Sequence, residues 1–363
     1  MQTGSTCAGQ LASALQPFVD RHELAGAVVL VADKDQVRGV AAVGYADIAA
    51  GKPMREDAVF WIASQSKSIT ATALMMLVDE GKVRIEEPVA TYLPEFADLW
   101  YIAEGDTEHQ VLRRPAQPIT VRHILSHTSG MPFMSAMEVP TLDLLPLHVA
   151  VRSYAMTPLQ FAPDSAYAYS NAGINTAGRI IEVVSGMAYE DFLDTRLFQP
   201  LGMTDTTFWP NEEQVARLAT SYKPTTDNTD LEAISIGQLK YPLSDHSSRY
   251  PMPAGGLFST AADCARFCQM VMNGGAYNGK RYLSEEAVRV MTSKQTRDLD
   301  AQYGLGWGLD NGLIGHGGAH ATSMNFDPKC GLLYVWLVQH AGYPGEGGKS
   351  EAAFRAAAET MGQ

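Results

Sequence analysis

Ser64 and Lys67 stand three residues apart in the stretch Phe60-Trp61-Ile62-Ala63-Ser64-Gln65-Ser66-Lys67. A separation of three is close to one helical turn, so hydroxyl and amine would share a face. An amine held beside a hydroxyl can take its proton, provided the amine is neutral. Burial and the positive end of a helix both push a lysine toward neutrality. The pair is a candidate activated nucleophile. The spacing alone says little, since a Ser-x-x-Lys arises by chance about once in a chain of this length. Its plain alternative is a polar first turn with a solvated lysine.

Two further clusters carry chemistry. In Tyr167-Ala168-Tyr169-Ser170-Asn171, a loop tyrosine can relay a proton between a serine and a lysine. Asn171 can donate and accept at once, which suits it to orienting a lysine or a substrate carbonyl; the structural alternative is a helix cap. In Gly315-His316-Gly317-Gly318-Ala319-His320, three glycines mark a place where a ligand or another backbone comes close. The Ala319 amide, with that of Ser64, would make a two-donor oxyanion hole. His316 and His320 are four apart, but the glycines disfavour a helix and no glutamate lies between them, so no metal site is expected. Gly342 to Ser350 resembles a phosphate loop, but its first glycine is one place early, and no nucleotide site is expected. No Gly-x-Ser-x-Gly elbow occurs.

The elements that must position these groups follow from periodicity. Ala71 to Val78 is an apolar run without proline or glycine, which predicts a buried helix opened by Ser64 and closed near Gly81. Leu11 to Leu24 predicts an amphipathic helix, and Ala27–Ala32 with Val37–Tyr45 a hairpin. The middle is helix-rich, clearest at Asn171 to Ser185. Helices are expected again at Ala261–Met272, Ser284–Met291 and Ser350–Met361. Tyr303–Leu309, Gly315–Asp327 and Leu332–Gln339 read as three consecutive strands. Strands, then helices, then strands imply an α+β fold: an antiparallel sheet flanked by helices, with an all-helical lobe inserted. We expect residues 1–60 and 204–363 in the sheet lobe, 61–203 in the helical lobe, and the site in the cleft between them.

Composition narrows the partners. The chain has 363 residues, 46% of them apolar, and a formal net charge of −13, which suits a large catalytic unit and argues against nucleic acid or an anionic membrane. Four cysteines do not make a disulfide framework at this size; Cys264 and Cys268 read as buried thiols. No signal peptide or membrane-spanning run is visible, so the compartment stays open, cytoplasmic or periplasmic if a signal was removed. Oligomeric state is not legible.

Taken in order, Ser64-x-x-Lys67, Tyr169-x-Asn171 and His316-Gly317-Gly318 resemble the serine β-lactamase and penicillin-binding-protein superfamily, in its class C β-lactamase-like branch, and are closest in character to family VIII carboxylesterases. The likeness extends to Leu125-Ser126-His127-Thr128-Ser129-Gly130, Pro200-Leu201-Gly202-Met203, Gly255-Gly256-Leu257-Phe258-Ser259-Thr260 and Tyr303-Gly304-Leu305-Gly306-Trp307. It implies the same fold, Ser64 as acylated nucleophile, Lys67 as its proton partner, Tyr169 as base and later proton donor, and Asn171 orienting Lys67 or substrate. It implies no metal or organic cofactor. The third element departs from the branch, whose β-lactamases usually carry Lys-Thr-Gly there. His316 is mostly neutral at pH 7 and Gly317 lacks a hydroxyl, so carboxylate binding is weakened. That favours a carboxylesterase on small or short-chain esters, with His316, Gly317 and Gly318 contacting substrate. The alternatives are a class C-type β-lactamase, a DD-peptidase or D-aminopeptidase-like amide hydrolase, and a non-catalytic sensor of peptidoglycan fragments or small molecules. Met131, Phe133, Met134, Met137, Tyr101, Tyr154 and Met156 are expected to wall the acyl pocket.

Overall fold

In the strand Gly26–Ala32 all seven residues are buried, and alternate side chains enter two different cores. Val28, Leu30 and Ala32 join the larger core. Ala27, Val29 and Val31 pack with Leu11, Leu15, Trp336 and Phe354. A strand covered on both faces has this composition because period-2 alternation then needs apolar residues at every position. The computed structural model describes residues 2–360 except 107. Its main sheet is antiparallel throughout, in the order Ile314–Gly317, Ser323–Asp327, Leu332–Leu337, Gly26–Ala32, Val37–Asp47, Lys52–Pro53. The first and last parts of the chain thus share one sheet, with Leu30 opposite Val335. Helices Gln2–Asp20 and Ser350–Glu359 cover one face.

On the other face lies the helix Ser66–Asp79, buried continuously from Ser66 to Leu77. Gly81, at φ +69°, takes the left-handed turn just after its end. Helix Asn171–Ser185 packs in the same core. It starts where Ser170 Oγ accepts from the Gly173 amide at 3.0 Å and stops at Gly186, φ +71°. Gly173 permits a tight crossing: a Cβ there would lie 2.7 Å from the Ile124 carbonyl, in the short helix Val121–Leu125. Ala261–Met272 is capped by Thr260, whose side chain accepts from the Asp263 amide. Among the described residues no helix is long and apolar enough to cross a membrane.

The predicted run of three final strands needs correction. Tyr303–Leu309 forms no strand; Tyr303 and Gly308 make an isolated bridge, and Gly308 bridges Gly315. Gly306, at φ +73°, bends the segment back. Gly315–Asp327 is two strands, broken by a 3₁₀ turn at Ala319–Ala321 in which His320 has φ +60°. Residues 99–118, a polar and aromatic stretch without a clear apolar period, contain a further hairpin, Tyr101–Gly105 with Gln110–Arg113. Its strands are short and largely solvent-facing, so no apolar alternation marks them.

Candidate active site

Ser64 occupies a 3₁₀ turn, Ala63–Gln65, that runs straight into the helix beginning at Ser66. The residue before it, Ala63, has φ +47°, a left-handed conformation that costs on the order of 1–2 kcal/mol for a residue with a Cβ. Surrounding bonds impose it. Ser66 Oγ donates to the Ala63 carbonyl at 2.6 Å, and the Ile62 amide donates to Leu257 at 3.0 Å. Trp61 Nε1 donates to the Gly255 carbonyl at 2.7 Å.

The Lys67 side chain has no exposed surface. Its Nζ lies 3.0 Å from Ser64 Oγ and donates to the Ala254 carbonyl at 2.6 Å. It also sits 4.7 Å above the centre of the Tyr169 ring. Burial pushes this lysine well below its ordinary value, toward the neutral amine a base requires. The helix backbone beneath it is crossed closely by Gly306, where a Cβ would lie 2.9 Å from the Lys67 carbonyl.

Ala254, absent from the sequence-based expectations, is held by a buried chain. Its amide donates to Asn175 Oδ1 at 3.0 Å, and Asn175 Nδ2 donates to the Tyr154 hydroxyl at 2.9 Å. Tyr154 donates to Glu138 Oε1 at 2.6 Å, and the Ser135 amide donates to Glu138 Oε2 at 2.7 Å. Burial raises the pKa of Glu138 and of Tyr154.

The Tyr169 phenol lies near Ser64, and burial raises its pKa, so it stays protonated at neutral pH. The ring is wedged against His127 at 4.6 Å and stacks with Phe133 at 6.4 Å. His127 is fully buried, and its Nδ1 accepts from the Ser170 amide at 3.2 Å. The loop before Tyr169 is pinned by Asp164, paired with Arg122 at 3.0 Å, His123 at 2.9 Å and Arg297 at 2.8 Å.

His316 stands on the strand Ile314–Gly317. Its Nδ1–H donates to the Gly317 carbonyl at 2.5 Å, so Nε2 accepts from the Tyr303 hydroxyl at 2.9 Å. Burial, with a smaller push from Lys67, lowers its pKa to about 4. The imidazole is therefore neutral at pH 7. Gly318 lets this segment approach the nucleophile turn, since a Cβ there would lie 2.4 Å from the Ile62 carbonyl. Ala319 packs against the apolar cluster that includes Trp61 and Ala63. Asn171 is the first residue of its helix rather than its cap, which is Ser170. Its Oδ1 is buried without a hydrogen-bond partner, and Lys67 bonds instead to Ser64 and Ala254.

With this geometry established, comparison with known proteins places the chain. Residues 11–359 match the beta-lactamase family. The chain belongs to that family. Penicillin-binding protein 4 of Amycolatopsis lactamdurans is 31% identical to this beta-lactamase-family chain, over 90% of it and 80% of the relative. Esterase EstB of Burkholderia gladioli is 28% identical, over 96% and 95%. Among solved structures, EstCE1, described as a hydrolase with promiscuous acyltransferase activity, superposes with a TM-score of 0.81 at 25% identity, covering 99% of this chain and 100% of EstCE1. The chain is thus a beta-lactamase-fold member of a serine hydrolase superfamily.

In this family member the residues expected to wall the acyl pocket occupy different environments. Phe133 stacks on Tyr169 and is partly exposed. Tyr154 is buried in the chain that supports Ala254, and Met156 is 84% exposed. Sequence reasoning also missed Asn175 and the donor role of Tyr303. The signal for Ala254 was its place next to the quoted Gly255-Gly256 motif.

Proposed function

We propose that the protein is a serine esterase that forms an acyl-enzyme at Ser64. The observation that carries this is the Ser64 hydroxyl 3.0 Å from a buried amine that itself lies 4.7 Å from the ring centre of Tyr169, a protonated phenol. Lys67, whose pKa burial lowers, takes the Oγ proton as Oγ bonds to the acyl carbon. The Ser64 and Ala319 amides receive the oxyanion. Tyr169 donates its proton to the leaving alkoxide and is reprotonated from the Lys67 ammonium. Water then enters by the reverse route and frees the acid. Asn171, His316, Gly317 and Gly318 contact substrate in this reading, and the crevice lies between the lobe of 61–203 and the lobe of 1–60 with 204–363.

Esters are favoured over β-lactams because the group in the place of the usual lysine is a neutral imidazole, already engaged by Tyr303 and Gly317. The relatives include a penicillin-binding protein as well as an esterase, so p-nitrophenyl butyrate and nitrocefin are to be assayed in parallel. Ester turnover should dominate and Ser64→Ala should abolish it, leaving less than about one per cent. His316→Lys should raise the lactam-to-ester ratio. Lactam turnover well above ester turnover in the wild type would overturn the ranking.

A further inference from the structure

A cavity of about 400 Å³ shares Tyr169, His316 and Gly317 with the site. Its walls also carry Tyr167, Tyr303 and Asp310. The rings of Tyr167 and Tyr303 have centroids 6.0 Å apart, and each tyrosine is close enough to feel the Asp310 charge. The Asp310 side chain is exposed. Among the described residues no lysine or arginine lines the cavity. Its one basic group, His316, is neutral at pH 7. Several tyrosines and one carboxylate around a space of this size form a setting that attracts an alkylated ammonium, through ring quadrupoles and direct charge.

We propose that this cavity is a leaving-group subsite for substrates whose alcohol portion carries an ammonium group. The inference rests on the esterase reading above, in which Tyr169 protonates the leaving alkoxide; the wall Tyr169 contributes therefore faces that part of the substrate. Asp310 would equally repel a carboxylate entering from the same side, which adds a second obstacle to β-lactams beyond the neutral His316.

The test compares butyrylcholine with 3,3-dimethylbutyl butyrate, which share one shape and differ in carrying a cationic nitrogen or a neutral carbon. The wild type should prefer the cation by about tenfold in kcat/KM. Asp310→Asn should bring the ratio down toward one, and raising salt to about 0.5 M should also reduce it. A wild-type ratio near one, or a ratio unchanged in Asp310→Asn, overturns the proposal. Loss of neutral-ester turnover in Ser64→Ala judges the esterase reading separately. A measurement independent of turnover uses choline itself, titrated by NMR into Ser64→Ala protein with and without Asp310→Asn. Saturable shifts of the cavity tyrosines, with affinity weakened about fivefold or more by Asp310→Asn, support the subsite. Absence of binding, or equal binding in both proteins, overturns it.

Discussion

A buried amine destabilises the fold around it. The folded pKa of Lys67 lies well below the ordinary 10.5, so between those values the unfolded chain holds the extra proton. The contribution of this residue to stability therefore rises with pH and becomes complete only above 10.5. Lys67→Met keeps the length and removes the polar atom. It should raise the thermal unfolding midpoint at pH 7 while abolishing turnover. A lowered midpoint would mean that the amine is charged and well paired in place. The same depression sets the pH profile: kcat/KM should hold steady as the pH falls through the ordinary lysine value and decline only at the depressed one. A limb near the ordinary lysine value would remove Lys67 as base. The residue types were legible in the chain, and so was the neutral character of His316. Its cause was only half legible. An unperturbed histidine is mostly neutral at pH 7, but the value near 4 comes from burial beside Lys67.

At the scale of elements, the site depends on how four segments are held. The nucleophile turn, the Tyr169 loop, the Ala254 segment and the His316 strand meet through backbone groups as much as side chains. Asn175, on the helix that Ser170 caps, bonds both the Ala254 amide and the Tyr154 hydroxyl. It is a positioning residue, acting on Lys67 through the Ala254 carbonyl. Asn175→Ala should lower kcat on the order of tenfold with KM little changed, and cost about 1–3 kcal/mol of stability by leaving buried groups unpaired. Because a well-aimed carbonyl favours the ammonium form, the acid limb of the profile should also move to lower pH. A destabilised protein with an unmoved limb and unchanged kcat would make Asn175 purely structural. Helices with strong caps and clear periods, such as Asn171–Ser185 and Ala261–Met272, were legible in the sequence because local signals decide their ends. Tyr303–Leu309 was misread because glycines and aromatics at strand-like spacing here form a turn whose partners lie elsewhere in the chain.

For the whole molecule, one buried ion pair ties distant regions together. Arg249 Nε donates to Asp143 Oδ2 at 2.6 Å, and Arg249 also donates to the Phe208 carbonyl at 3.0 Å. Asp143 accepts from the Lys240 amide at 2.9 Å. Both side chains are at most 1% exposed. Asp143→Ala should cost about 3–5 kcal/mol, measured by chemical denaturation, because it strands a buried guanidinium. The paired replacement Asp143→Leu with Arg249→Met should recover much of that loss; no recovery would show that the backbone contacts, not the charge, matter most. Local sequence determined the helices, the hairpin, the order of the reactive residues and the family they belong to, since spacing and capping act over a few positions. Only the tertiary structure decided that Lys67 is desolvated, that the Tyr169 ring lies against its amine, and that a carbonyl 187 residues away accepts a hydrogen bond from Lys67. Desolvation and hydrogen-bond geometry are set by whatever packs against a group, and those neighbours come from parts of the chain whose proximity no local pattern encodes.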